Sequence, residues 1–75
     1  MEKEGEKPRN LIEALQDECN RVRQIVSVYK DNAPGGLFAA LLMEVDIKLA
    51  EESISQMDTV SMIRLLTKLK EWELE

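Results

Sequence analysis

The chain has no histidine and a single cysteine, Cys19. Without histidine, a compact structural zinc site and the Glu-x-x-His di-iron pattern of helical bundles are out of reach, and one cysteine closes no disulfide within the chain. Basic residues are scarce as well. Ten Lys and Arg face fifteen Asp and Glu, for a formal net charge of −5 and a pI near 4.7. Sequence-independent binding to DNA or RNA relies on clustered Lys and Arg meeting phosphates, so direct nucleic-acid binding is not expected, and an anionic membrane surface is disfavoured for the same reason. The longest apolar run, Leu37 to Met43, has seven residues, far fewer than the roughly 20 that span a bilayer. Met1 to Arg9 alternates charge, carries Gly5 and Pro8, and lacks the apolar centre of a secretory signal. Residues 1–9 therefore read as a disordered tail, and the default location is the cytoplasm, where a lone thiol stays reduced.

What the chain does have is a helical pattern in a short length. Its 75 residues are 44% hydrophobic and 33% charged, a globular composition. A chain of this size buries only about 60% of its unfolded surface, so a single core is marginal without a disulfide, a metal or a partner subunit. With the first two excluded by composition, oligomerisation is the supplement left.

Residues 10–75 read as one helical domain. Asn10 and Glu13 make a capping-box-like start, after which Leu11, Leu15, Val22, Ile25, Val26 and Tyr29 recur at helical spacing beside Ile12 and Cys19. The opposite face holds Glu13, Gln16, Asn20, Arg23 and Gln24, and the helix is predicted over about 11–30. A turn at Asp31-Asn32 precedes Pro34-Gly35-Gly36, where proline suits a first helical turn. The two glycines suggest a positive-φ turn and close helix contact. The second helix, about 34–56, has Leu37, Phe38, Leu41, Leu42, Val45, Ile47, Leu49, Ala50 and Ile54 spread over more than half its circumference. A stripe that wide implies contact on two sides. Asp58 is a good N-cap for a third helix, about 59–74, marked by Val60, Met62, Ile63, Leu65, Leu66, Leu69 and Trp72. The expected fold is all-α, a three-helix antiparallel bundle completed by dimerisation.

Four groups of residues invite a chemical role. Glu13, Asp17 and Glu18 on the first helix and Glu44, Asp46, Glu51 and Glu52 on the second could hold Mg²⁺. All-α nucleotide pyrophosphohydrolases carry Glu-x-x-Glu followed by Glu-x-x-Asp. Here Glu13 is followed by Asp17 and Glu44 by Asp46, and i,i+2 spacing turns two carboxylates to different helix faces. A solvated acidic face is the simpler reading. Cys19 adjoins Glu18 in mid-helix, beside the apolar stripe, as a small buried hydrophobe would. Pro34-Gly35-Gly36 lacks the Lys and the Gly spacing of a nucleotide-binding loop. The fourth group is the apolar excess itself: Tyr29, Phe38, Leu41, Leu42, Val45 and Trp72 are the candidate interface, aromatics being enriched at such anchors.

Tyr29, the turn with Pro34-Gly35-Gly36, Phe38-Ala39, then Ala50, Asp58 and Met62 stand in an order that resembles small helical proteins of proteobacteria and their phages and prophages. That resemblance covers about Leu11 to Lys70 and brings no activity, cofactor or site residues with it. It implies a bacterial or phage setting only. No catalytic, cofactor-binding or metal-binding residues are assigned. The expected function is a non-enzymatic helical interaction or assembly module, acting as a homodimer or with another protein. The alternatives are a small Mg²⁺-dependent nucleotide hydrolase using Glu13, Asp17, Glu44 and Glu51, or an acidic regulator that occupies the basic surface of a nucleic-acid-binding protein.

Overall fold

A computed structural model describes residues 8–32 and 34–73, with side chains from Leu11 onward. Positions 1–7 of the expected tail, Ala33 of the turn, and 74–75 lie outside the described residues. The described chain is all-α: α1 spans Pro8–Asp31, α2 Gly35–Ser55 and α3 Thr59–Lys70, and each helix touches both others.

The helix α1 starts at Pro8, ahead of the expected Asn10 cap. A proline costs nothing in a first turn, where its missing N–H would have no partner and its fixed φ is already helical. Positions 8 and 9, expected in the tail, thus belong to the helix. The apolar stripe of α1 is the inner face: Leu15, Cys19, Val22, Ile25 and Val26 are buried. They meet Ala40, Met43, Ile47 and Ala50 of α2 and Met62 and Leu69 of α3 in one core.

The two glycines before α2 differ in what they permit. Neither has positive φ, contrary to the expected glycine turn. At Gly36 a Cβ would collide with the Tyr29 carbonyl oxygen and lie 2.8 Å from its carbon, whereas at Gly35 it would meet open space. Gly36 is what lets α2 approach the end of α1 at backbone distance.

Among the described residues the one with left-handed backbone is Met57, at φ 56°. It closes α2 in a Schellman pattern: Asp58 N–H donates to the Ser53 carbonyl at 2.9 Å and Met57 N–H to that of Ile54 at 3.0 Å. Asp58 then caps α3 as expected. Its carboxylate accepts from the Ser61 N–H at 3.2 Å and from the Ser61 hydroxyl at 2.8 Å. Those hydrogen bonds, the hydroxyl's first, hold the Asp58 carboxyl below its ordinary range.

The helix α3 ends at Lys70, four residues short of the expected Leu74. The reason lies on α1. The Arg21 guanidinium donates to the carbonyl oxygens of Leu69 and Trp72, both at 2.9 Å, while its Nε pairs with Glu18 at 2.9 Å. A cation seated on the last carbonyls of a helix satisfies them and favours the negative end of its dipole. Trp72 is left just beyond the helix, half-buried against the core.

Candidate interaction surface

The inner face of α2 mixes small and polar residues with its apolar ones. Its buried residues are Ala40, Met43, Asp46, Ile47, Ala50 and Ser53, three of them small and one a carboxylate. Asp46 is only 4% exposed. It is held by Lys68 Nζ at 3.0 and 3.1 Å and by the Trp72 indole Nε1 at 2.9 Å, so both its oxygens are satisfied. A buried carboxylate is tolerable only when paired and hydrogen-bonded in this way.

Six large hydrophobes of α2 lie outside, while Met43 and Ile47 face the core. Leu37, Phe38, Leu41, Leu42, Val45 and Leu49 are all exposed, Phe38 at 71% and Leu41 at 57%. At 3.6 residues per turn they share one side of the helix over about 18 Å. Phe38, Leu42, Val45 and Leu49 are spaced 4, 3 and 4 apart, the step of a helix seam that meets another helix. Isolated exposed hydrophobes are ordinary on protein surfaces; six in a contiguous row on one helix make this face the candidate surface. A smaller group, Val60 and Ile63 of α3 with Met57 before it, is also exposed, although the spacing of α3 had counted Val60 and Ile63 among the apolar positions that define it.

Of the candidate interface residues, Phe38, Leu41, Leu42 and Val45 therefore fall together on this outer face. Tyr29 and Trp72 do not join them. Both are half-buried and packed against the core. The Trp72 indole is tied to Asp46, and the Tyr29 hydroxyl points at the Glu73 carbonyl oxygen from a weak 3.4 Å. Leu37 and Leu49 complete the row. The 4-3-4 spacing, which a count of apolar residues round the whole helix hides, finds Leu49, and Leu37 flanks that seam four residues before Leu41.

The carboxylates are distributed among cations rather than gathered. Glu44 pairs with Lys30 at 2.7 Å, Glu51 with Arg23, Glu18 with Arg21 and Asp46 with Lys68. Among the described residues no three Asp, Glu or Cys side chains converge as a metal would need. The groove between α1 and α2, lined by Arg23, Lys30, Glu44 and Glu51, is bridged by two of these ion pairs. Cys19 is buried, and that burial, more than its charged neighbours, pushes its thiol above the ordinary range. It is therefore a protonated core side chain at neutral pH. Among the described residues no helix is long and apolar enough to cross a membrane.

No family model, curated protein or solved structure matches the chain.

Proposed function

We propose that this protein is a non-enzymatic helical interaction module whose working surface is the outer face of α2. The single observation that carries this reading is the outer face of α2: with Ala40, Met43, Asp46, Ile47, Ala50 and Ser53 turned inward, Leu37, Phe38, Leu41, Leu42, Val45 and Leu49 are left outside. Fully burying a large apolar side chain is worth about 1.5–3 kcal/mol, so six of them left about half exposed hold back a substantial part of that stabilisation. A partner helix laid along the row recovers it.

The scaffold behind that face is proposed as an antiparallel three-helix bundle. Along α2, Gly36, Glu44 and Glu51 meet Tyr29, Lys30 and Arg23, so numbers rise on one helix broadly as they fall on the other. Glu44 and Glu51, two of the four acids that an Mg²⁺-dependent hydrolase would need, are paired with Lys30 and Arg23.

A photocrosslinking benzophenone side chain placed at Leu42 in cells producing the full chain tests the proposal. The same group at Thr67, exposed on α3, serves as the control. Position 42 should give a covalent adduct with a protein chain, whether a second copy or another protein, and a Leu49→Lys change on the same row should abolish it. Equal or absent adducts from the two positions would remove the outer face of α2 as a working surface.

A further inference from the structure

We infer that the outer face of α2 is covered by the same face of a second copy, in antiparallel register, with Glu52 of each copy set at the start of the other's α2. This rests on the reading of that face as an interaction surface and names its occupant.

Three observations specify a second copy in this orientation. The first is the seam. An antiparallel pair brings residues together whose numbers have a constant sum. Taking Phe38 opposite Leu49 also sets Leu42 opposite Val45, so each of the four seam residues meets an apolar partner. The second is charge. The next seam position after Leu49 is Glu52, which is exposed. In a parallel pair Glu52 would lie against its own copy, placing two carboxylates together at an otherwise apolar seam, which is destabilising. The antiparallel register sets Glu52 opposite Gly35 instead. The third is the start of α2. No side chain caps it, Pro34 standing at the cap position, and its first turn holds no acidic residue. Open space beside Gly35 leaves room for an incoming carboxylate. A carboxylate is favoured at a helix N-terminus by the dipole and by the backbone N–H groups there. Two-fold symmetry makes the contact twice.

The area reaches the lower end of what a specific interface needs. Six large side chains, each exposed by roughly half, present on the order of 500–600 Å² of apolar surface per copy. A symmetric pair thus approaches the roughly 1,200 Å² total at which specific interfaces begin. Lys48 flanks the row on the Leu41 side, where its aliphatic stem would cover Leu41 of the second copy and leave the charge at the rim.

Sedimentation equilibrium of the purified full chain and disulfide trapping test this. The chain should sediment as a dimer at micromolar concentration, and Leu42→Glu should give a monomer that keeps its helical circular dichroism. Glu52→Gln should weaken the dimer about 3- to 30-fold, the effect of two lost helix-terminus contacts. Under mild oxidation, a mixture of Phe38→Cys and Leu49→Cys chains should crosslink to each other. Phe38→Cys alone should not, its two copies lying about 16 Å apart along the seam. A chain that stays monomeric at millimolar concentration overturns the second copy. Adducts to another protein from position 42 would then still uphold the interaction surface, so the two failures are separable. Self-crosslinking of Phe38→Cys overturns the antiparallel register, and an unchanged dimer in Glu52→Gln overturns the contact with the start of α2.

Discussion

Gly36 lies so close to the carbonyl of Tyr29 that a single methyl at position 36 has nowhere to go. The obstructing atoms are backbone, so no rotamer change relieves the clash. Gly36→Ala is expected to cost about 1–3 kcal/mol as overpacking, more than the roughly 1 kcal/mol that alanine gains over glycine in a helix. Gly35→Ala, one residue earlier and facing open space, is expected to keep that gain and stabilise the fold. At about 4–8 °C per kcal/mol for a domain of this size, thermal unfolding should separate the two variants clearly, one below the parent and one at or above it. Equal melting temperatures for the pair would show that the α1–α2 approach is looser than described.

Asp46 and Trp72 make a second such pair, joined by the 2.9 Å indole hydrogen bond. Hydrogen bonds to a charged group are worth about 1.5–3 kcal/mol, and truncating this carboxylate leaves the indole N–H without its acceptor. Asp46→Ala should therefore destabilise by about 2–3 kcal/mol. Trp72 is the single tryptophan, so its fluorescence reports the site directly. Emission should shift to the red in the folded Asp46→Ala chain as the ring loosens from the core. Unchanged emission would mean that packing alone, not Asp46, holds the ring.

These contacts explain what was legible in the sequence. The inner face of α1 was readable, because Leu15, Val22, Ile25 and Val26 are large, apolar and at one spacing, and burial follows from those properties alone. The inner face of α2 was not. Asp46 can be buried only because Lys68 and Trp72, 22 and 26 residues away, come to it, and spacing within α2 carries no trace of them. Phe38, Leu41, Leu42 and Val45 of the outer row were nonetheless readable as a candidate interface from their size and spacing; what the sequence hid was the burial of Asp46 among its neighbours. The end of α3 was hidden likewise, since Arg21 reaches its carbonyls from 48 and 51 residues away. Trp72, exposed by sequence logic near a helix end, is held in by groups from the two other helices. The Asp58 cap needs only Ser61, three residues on, and it was legible.

Asp58 gives the fold a definite acid dependence. Its carboxyl lies below the ordinary value when folded, because the Ser61 hydroxyl and N–H bond the charged form. A depressed folded pKa means that the stabilisation is fully present above the unfolded value, about 3.9, and is lost as pH falls through the folded one. The gap in melting temperature between the parent and Asp58→Ala should therefore be constant above about pH 5 and narrow below about pH 4. Asp58→Asn retains an acceptor without the charge and should lie between them at neutral pH. A gap that widens on acidification would contradict the cap's charged form as the stabilising one.

Met57 holds a left-handed backbone at φ 56° with a bulky side chain exposed to solvent. The position is the one after a helix end where glycine is most favoured, since a Cβ there costs about 1–2 kcal/mol. Met57→Gly relieves that strain but gives the unfolded chain more freedom, an opposing effect of about 0.4–1 kcal/mol. The net expectation is a gain of up to about 1 kcal/mol, read as a rise of a few degrees in melting temperature. Met57→Ile should move the other way, because β-branching makes left-handed backbone costlier still. The two substitutions differ in backbone strain far more than in lost contacts, since the Met57 side chain is largely free of the core. A melting temperature that falls for both would mean that the exposed methionine side chain, not the backbone, is what the site requires.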